Sequence, residues 1–236
     1  MTLVRWEKDE TIAVLIMDNG PNLNNPAFFK AMNTAFAEII NDESINGLVI
    51  GANDPKSWNT GIDLEWMSNA VASEDMAAMQ EFGETFFKML DYFLLSPFPI
   101  VAAITGHAFA NGAVLACACD FRFMRKDRGY FCFPEIDVNV PFRPGIIDIA
   151  EKAVPKPLLQ KMVYTGKRYT AQELEQHGVI EKACENSEET IKEAVAFTKT
   201  FQKGRKIFYD NKKALNTIVL KRVHEEFESQ KKMFQT

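Results

Sequence analysis

Along the chain the apolar positions change their spacing several times, and each change marks an element. Val4 to Trp6 and Ile12 to Met17 gather β-forming residues on either side of the polar break Lys8-Asp9-Glu10, a pattern that predicts a hairpin. Asn19 to Pro26 is a loop by composition. It ends with Asn25 placed to cap a helix and Pro26 at the first helical position. From Phe28 to Ile40 the apolar residues Phe28, Met32, Phe36, Ile39 and Ile40 recur at helical spacing, and Leu48 to Ala52 is a short apolar strand. Strand, helix, strand in that order predicts an α/β protein with parallel pairing and right-handed crossovers.

The same order then recurs. A polar loop from Asn53 turns at Gly61 into a helical region, and an amphipathic stretch runs from about Ser73 to Leu95. The strand Ile100 to Ile104 follows the break Ser96-Pro-Phe-Pro99 and enters the small-residue turn Gly106 to Gly112 and the apolar segment Ala113 to Cys119. Two strands thus feed glycine-containing turns that open helices. In open α/β arrangements ligands sit beyond the carboxyl ends of the strands, so two such turns could each aim a free N–H at one ligand atom. The apolar run Phe131 to Val140, read as a strand, carries the acid Glu135 just after Pro134. On patterning alone a lone glutamate there is a solvent-facing residue. If Phe131, Phe133, Ile136 and Val138 walled it in, desolvation would raise its pKa toward the range of a general base. Asp137, two residues on, would share its face of a regular strand and reads as surface or loop-orienting.

Beyond Glu135, Pro141 to Gly145 is a loop, helices are expected over Ile146 to Ala153 and Pro155 to Tyr164, and Thr170-Ala-Gln-Glu173 has the form of a capping box for a short helix ended by Gly178. From Ser187 to the end the chain reads as continuous charged helix studded with phenylalanines. The division predicted is a core over 1–186 and a C-terminal helical region over 187–236 that packs on a neighbouring surface, its own or a partner subunit's.

The 236 residues, 47% hydrophobic and 25% charged, suffice for one substantial core. A net charge of −5 argues against nucleic acid or an anionic membrane as the main partner. No apolar stretch approaches a membrane span, and the opening residues read as strand rather than as a signal peptide. The four cysteines form no CxxC pairs and read as buried, reduced thiols of an intracellular, cytoplasmic protein. His107, His177 and His224 read as turn or surface residues with no metal constellation, and Asp63 and Asp120 as local backbone caps.

Trp58-Asn-Thr-Gly-Ile-Asp-Leu64, Gly106-His-Ala-Phe-Ala-Asn-Gly112 with Asp120, Phe133-Pro-Glu135, and Tyr164 to Glu173 followed by Gly178-Val-Ile-Glu181 together resemble the enoyl-CoA hydratase/isomerase (crotonase) superfamily. The resemblance spans roughly residues 1 to 185, and four spaced motifs make it specific. It implies a crotonase-type spiral of ββα units, assembly as a homotrimer or hexamer, and acyl-CoA thioesters as ligands, with CoA arriving as part of the substrate and no separate cofactor or metal. By matching positions, the backbone N–H groups of Ile62 and Asn111 would form the oxyanion hole, with Gly61, Ala110, Gly112 and Val114 around the substrate and Lys56 as a point charge for a CoA phosphate. Hydratases of the family use two glutamates. This chain has Val114 at the first position and Glu135 at the second, a pattern that looks like the Δ3,Δ2-enoyl-CoA isomerase branch of fatty-acid β-oxidation. Asn111 stands where most relatives have glycine, and asparagine tolerates a positive φ at such a turn. The rival readings are hydration, thioester hydrolysis or decarboxylation by the same fold, or a non-catalytic acyl-CoA binder.

Overall fold

A computed structural model describes residues 3–234, so Met1, Thr2, Gln235 and Thr236, at the outer ends of the two regions drawn above, lie outside the described residues. The elements in chain order are β1 (Val4–Asp9), β2 (Ile12–Met17), α1 (Pro26–Asn41), β3 (Gly47–Ala52), β4 (Ser57–Asn59), α2 (Leu64–Ala72), α3 (Met76–Leu95), β5 (Ile100–Ile104), β6 (His107–Phe109), α4 (Asn111–Ala118), β7 (Phe121–Arg125) and β8 (Phe131–Cys132). A 3-10 turn over Glu135–Val138 follows, then α5 (Pro144–Glu151), α6 (Lys156–Thr165), α7 (Ala171–Gln176), β9 (Lys182–Cys184), α8 (Ser187–Thr198) and α9 (Arg205–Phe234).

The strands form two sheets. The larger runs β1-β2-β3-β5-β7-β9 and is parallel except for the opening β1-β2 hairpin; the smaller runs β4-β6-β8 and is parallel throughout. Each of β3-β4, β5-β6 and β7-β8 places its first strand in the large sheet and its second in the small one, and a helical segment then returns the chain to the next turn. This is the crotonase-type spiral of ββα units.

The strand sequences follow from that layering. β2, β3 and β5 are buried at every position, because helices cover both faces of the large sheet. One face packs against α1, α3 and α4 through residues such as Leu15, Phe28, Phe36, Ile50, Phe93 and Leu115. The other is covered by α8, with Ile12, Val49, Val101 and Phe123 meeting Ile191, Ala194 and Phe197. α8 therefore lies directly on the sheet. The C-terminal helix is not continuous: residues 199–204 leave helical geometry between α8 and α9, and Gly204 stands at the restart. α9 then crosses back over α3 and α5.

Local chemistry sets the ends as the sequence indicates. Asn25 accepts from the Phe28 N–H at 3.0 Å with Pro26 at the first helical position, and Thr170 and Glu173 close a reciprocal capping box. Asp120 accepts from the Ile100 N–H at 2.8 Å and also takes an ion pair from Lys212 at 2.6 Å. That lysine, its side chain only 4% exposed, ties α9 to the end of α4. Removing one member of a buried pair strands the other. Lys212→Met is therefore expected to lower the unfolding free energy by about 3 kcal/mol, read by urea denaturation at neutral pH.

Candidate active site

The small sheet brings the site together. Because β4, β6 and β8 are parallel, their carboxyl ends lie along one edge, and each chain segment leaving that edge carries one of the singled-out groups: Ile62 after Asn59, Asn111 after Phe109, and Glu135 after Cys132. The Ala110 N–H donates to the Cys132 carbonyl at 3.1 Å, fixing the second segment against the third. The sequence reading had the turns following the large-sheet strands directly. In the structure a short strand intervenes each time, and these are too brief and too mixed in composition for periodicity to reveal.

The first two segments touch. Gly61 has φ +91°, a conformation that favours glycine, and a Cβ there would lie 3.1 Å from the Phe109 carbonyl oxygen and 3.3 Å from the Asn111 nitrogen. A Cβ on Gly112 would overlap the Asn59 carbonyl. Buried asparagines, which the sequence reading passed over as loop composition, hold this approach. Asn59 Oδ1 accepts from the Gly61 N–H at 3.0 Å, Asn59 Nδ2 donates to Asn24 Oδ1 at 2.8 Å, and the Asn24 N–H donates to the Gly61 carbonyl at 2.8 Å. Asp63 caps α2 through the Trp66 N–H.

Neither the Ile62 N–H nor the Asn111 N–H has an acceptor among the described residues. α4 begins at Asn111 with Ala110 as its cap, and an alanine offers no side-chain acceptor, so the N–H groups of the first turn stay free. The positive φ of this turn falls on Ala110 (φ 50°, ψ −125°) and not on Asn111, which is already helical. The expectation that asparagine is here to tolerate a left-handed backbone is corrected: the strained residue is its neighbour. Alanine in that region stores of the order of 1–3 kcal/mol. What Asn111 brings is its side chain, whose Nδ2 is buried without a hydrogen-bond partner.

Glu135 departs from the sequence reading in its backbone. The strand ends at Cys132; Pro134 bends the chain, Glu135 opens a 3-10 turn, and Asn139 closes it with φ 55°. A proline cannot donate to a ladder, so the apolar run beyond it does not continue as a strand. Ile136 and Val138 are 48% and 57% exposed and do not wall in the glutamate as expected, whereas Phe131 and Phe133 are buried. Asp137 is exposed and sits against Gly166. Glu135 Oε2 is buried and unpartnered, and burial pushes its carboxyl up to about 7. The cavity beside it, about 400 Å³, is lined by Asn139, Phe142, Val163 and Tyr164 among others, and Glu135 is the single acid of that lining. Val114 is fully buried in α4.

Lys56 is exposed, in a loop that Asp54 orders by accepting from the Lys56 and Ser57 N–H groups at 2.9 and 2.6 Å. It belongs to a basic cluster that the sequence did not disclose, since Arg128 and Arg168 arrive from distant loops. Burial, then the charges of Lys56, Arg168 and Arg128, lower the pKa of His107. Arg168 lies 5.5 Å from the Phe109 ring centre, and the rings of His107 and Tyr130 stack. His107 Nδ1 lies 3.1 Å from the Tyr130 N–H that donates to it. Chemically, the edge combines two unsatisfied N–H donors, a carboxyl poised near neutrality and a nearby patch suited to phosphate.

A family model described as enoyl-CoA hydratase/isomerase matches residues 7–236. The chain belongs to that family. Enoyl-CoA delta isomerase 3 of Arabidopsis thaliana is 29% identical over 59% of this chain and 58% of its own length, so the match spans a little over half of that relative. The mitochondrial enoyl-CoA hydratase of Pongo abelii is 26% identical over 85% of this chain and 67% of its own. Among solved structures, an apo enoyl-CoA isomerase of Mycobacterium tuberculosis superposes with a TM-score of 0.84 at 21% identity, covering 97% of each chain. An enoyl-CoA hydratase of Bacillus halodurans does so at 0.85 and 18%, covering 99% and 96%. These structural likenesses establish the fold.

The folded state holds the Glu135 proton more tightly than the unfolded chain does. The stability this group contributes is therefore present at low pH and lost as pH rises from about 4.5 to about 7. Glu135→Gln should remove that slope and stabilise the protein by about 2 kcal/mol above neutrality, after discounting partial solvent access. Urea denaturation of both proteins across that range measures it.

Proposed function

We propose that the protein moves the double bond of a 3-enoyl-CoA into conjugation, giving the 2-enoyl-CoA, with Glu135 as the only proton carrier. One observation carries the reading: at the edge where the free N–H groups of Ile62 and Asn111 meet, Glu135 is a single buried, unpartnered carboxyl near neutrality, and buried Val114 occupies the position where the hydratase pattern has its other acid.

The thioester oxygen accepts from Ile62 and Asn111. The Glu135 carboxylate removes a proton from C2, the electrons move into the carbonyl, and the resulting dienolate carries its charge on the oxygen held by the two N–H groups. Glu135, now neutral, returns the same proton at C4 while the double bond forms between C2 and C3. Atoms and charge balance with no second acid and no further cofactor. The Asn24-Asn59 pair keeps the Ile62 N–H aimed, and Gly61 and Gly112 let the two donors approach. Lys56, Arg128 and Arg168 meet the phosphates of CoA. The exposed side chains Ile207, Leu215 and Ile218 on α9 suit contact with further copies of the chain, as a trimer or a pair of trimers.

Hydration is the second reading, supported by the hydratase among the relatives. It asks for two groups, one to activate water and one to handle the proton at C2.

Glu135→Gln is expected to reduce isomerisation of a 3-enoyl-CoA about a hundredfold to ten-thousandfold, followed by absorbance of the conjugated product. Wild-type kcat/KM should rise with pH through about 7 as the base ionises. Hydration of the 2-enoyl-CoA that equals or exceeds isomerisation overturns the assignment. Asn59→Ala, which releases the Gly61 N–H, is expected to lower kcat about tenfold or more with a smaller change in KM.

A further inference from the structure

We propose that Lys152, an amine left without a carboxylate partner in a cavity at the C-terminal end of α4, is a self-acylation site that takes the acyl group of an acyl-CoA. The inference goes beyond the double-bond shift and needs from it only the reagent, a thioester of CoA.

The cavity has a volume of about 490 Å³ and shares no lining residue with the cavity beside Glu135. Lys152 Nζ donates at 3.3 Å to the carbonyl of Ala118, the last residue of α4, whereas Asn111 opens that helix. The length of the helix, about 10 Å, therefore separates this amine from the Asn111 N–H.

The carboxylates around Lys152 are taken. Asp120 is paired with Lys212 at 2.6 Å, Asp148, one turn back on α5, with Arg222 at 3.0 Å, and Glu151 with Lys156 at 3.3 Å. Among the described residues Lys152 forms no ion pair, and its Nζ has a backbone carbonyl as its partner. A charge in that position is costly to keep out of water, and shedding the proton relieves the cost. Burial lowers the pKa of Lys152 to about 8, with the Asp120 charge opposing and the Lys212 and Arg122 charges adding to the shift. An appreciable share of the amine is then neutral and nucleophilic near neutral pH.

The remaining lining suits an acyl group. Phe121, Phe208 and Leu215 supply apolar surface, and Asn211 and Leu215, both exposed, stand where the cavity meets solvent. The neutral amine attacks the thioester carbonyl, the N–C bond forms, the C–S bond breaks, and CoA leaves as the thiol with the proton lost by nitrogen. Lys152 becomes an amide, and no other reactant is consumed. The amide keeps an N–H for the Ala118 carbonyl and has no charge to desolvate.

The test follows acylation of each lysine by peptide mass spectrometry during incubation with acetyl-CoA or butanoyl-CoA at about pH 7.5, for the wild type, Lys152→Arg and Asn211→Asp. Lys152 is expected to react about tenfold faster than the exposed Lys156 and Lys206, the gain in neutral amine being partly offset by weaker nucleophilicity. Its rate should rise with pH and level off above about 8. Lys152→Arg should remove this fastest acylation from the intact mass. Asn211→Asp, which adds a carboxylate to the same lining, should slow Lys152 several-fold. Lys152 reacting no faster than Lys156 and Lys206, as it would if a neighbouring copy sealed the cavity at Leu215, overturns the inference, and so does a rate indifferent to Asn211→Asp. Isomerisation of a 3-enoyl-CoA by the same preparation is read separately, so the proposed function stands or falls on its own.

Discussion

Two backbone segments, Asn59 to Ile62 and Ala110 to Gly112, lie against each other so closely that a side chain at either glycine would meet a carbonyl oxygen. This contact governs the site. It sets the segments that carry the Ile62 and Asn111 N–H groups side by side, and it is made beside neighbouring strands of the small sheet, so the spiral arrangement of the strands is what permits it. Its enforcers lie beneath it: Asn24 and Asn59, fully buried, use their amides on each other and on Gly61. A mobile loop would have to become ordered each time ligand arrived. A loop held by buried amides has already lost that freedom on folding, so little ordering entropy remains for binding.

Glu135 represents the opposite choice. A carboxyl on an exposed strand would be an ionised, well-hydrated and weak base. Here the chain stops pairing at Cys132, bends at Pro134 and turns the acid inward, where the loss of water raises its proton affinity. The fold is less stable at high pH for it, and Glu135 Oε2 and Asn111 Nδ2, on two of the segments leaving the small-sheet edge, are both buried without a hydrogen-bond partner. Strain at Ala110 belongs to the same account, since an unfavourable backbone angle persists where the surrounding hydrogen bonds dictate it.

Much of this was legible in the sequence. Apolar runs long enough to be buried on both faces announced the large sheet, and Asn25-Pro26 and Thr170 with Glu173 announced their helices by capping chemistry. The motif residues Gly61, Ile62, Asn111, Gly112 and Glu135 do converge on one edge. The rest depended on long-range geometry. β4, β6 and β8 have two or three residues each, too few to show a period, and they exist because neighbouring turns of the spiral pair them. The run Phe131 to Val140 was apolar enough to pass for a strand, and only the combination of Pro134 with a left-handed Asn139 diverts it. Arg128 and Arg168 join Lys56 from loops far apart in sequence, which composition could not reveal.

α9 supplies no strand to either sheet, and beyond its packing on α3 and α5 it is held by side-chain anchors: Lys212 to Asp120, Arg205 to the Ile40, Asp42 and Ile45 carbonyls, and Asn216 to the Leu94 carbonyl. No strand register is set by it. The strand scaffold and the helix over α3 are therefore inherited on separate terms: exposed positions of one terminal helix can drift in descent while the paired strands that shape the small-sheet edge stay fixed.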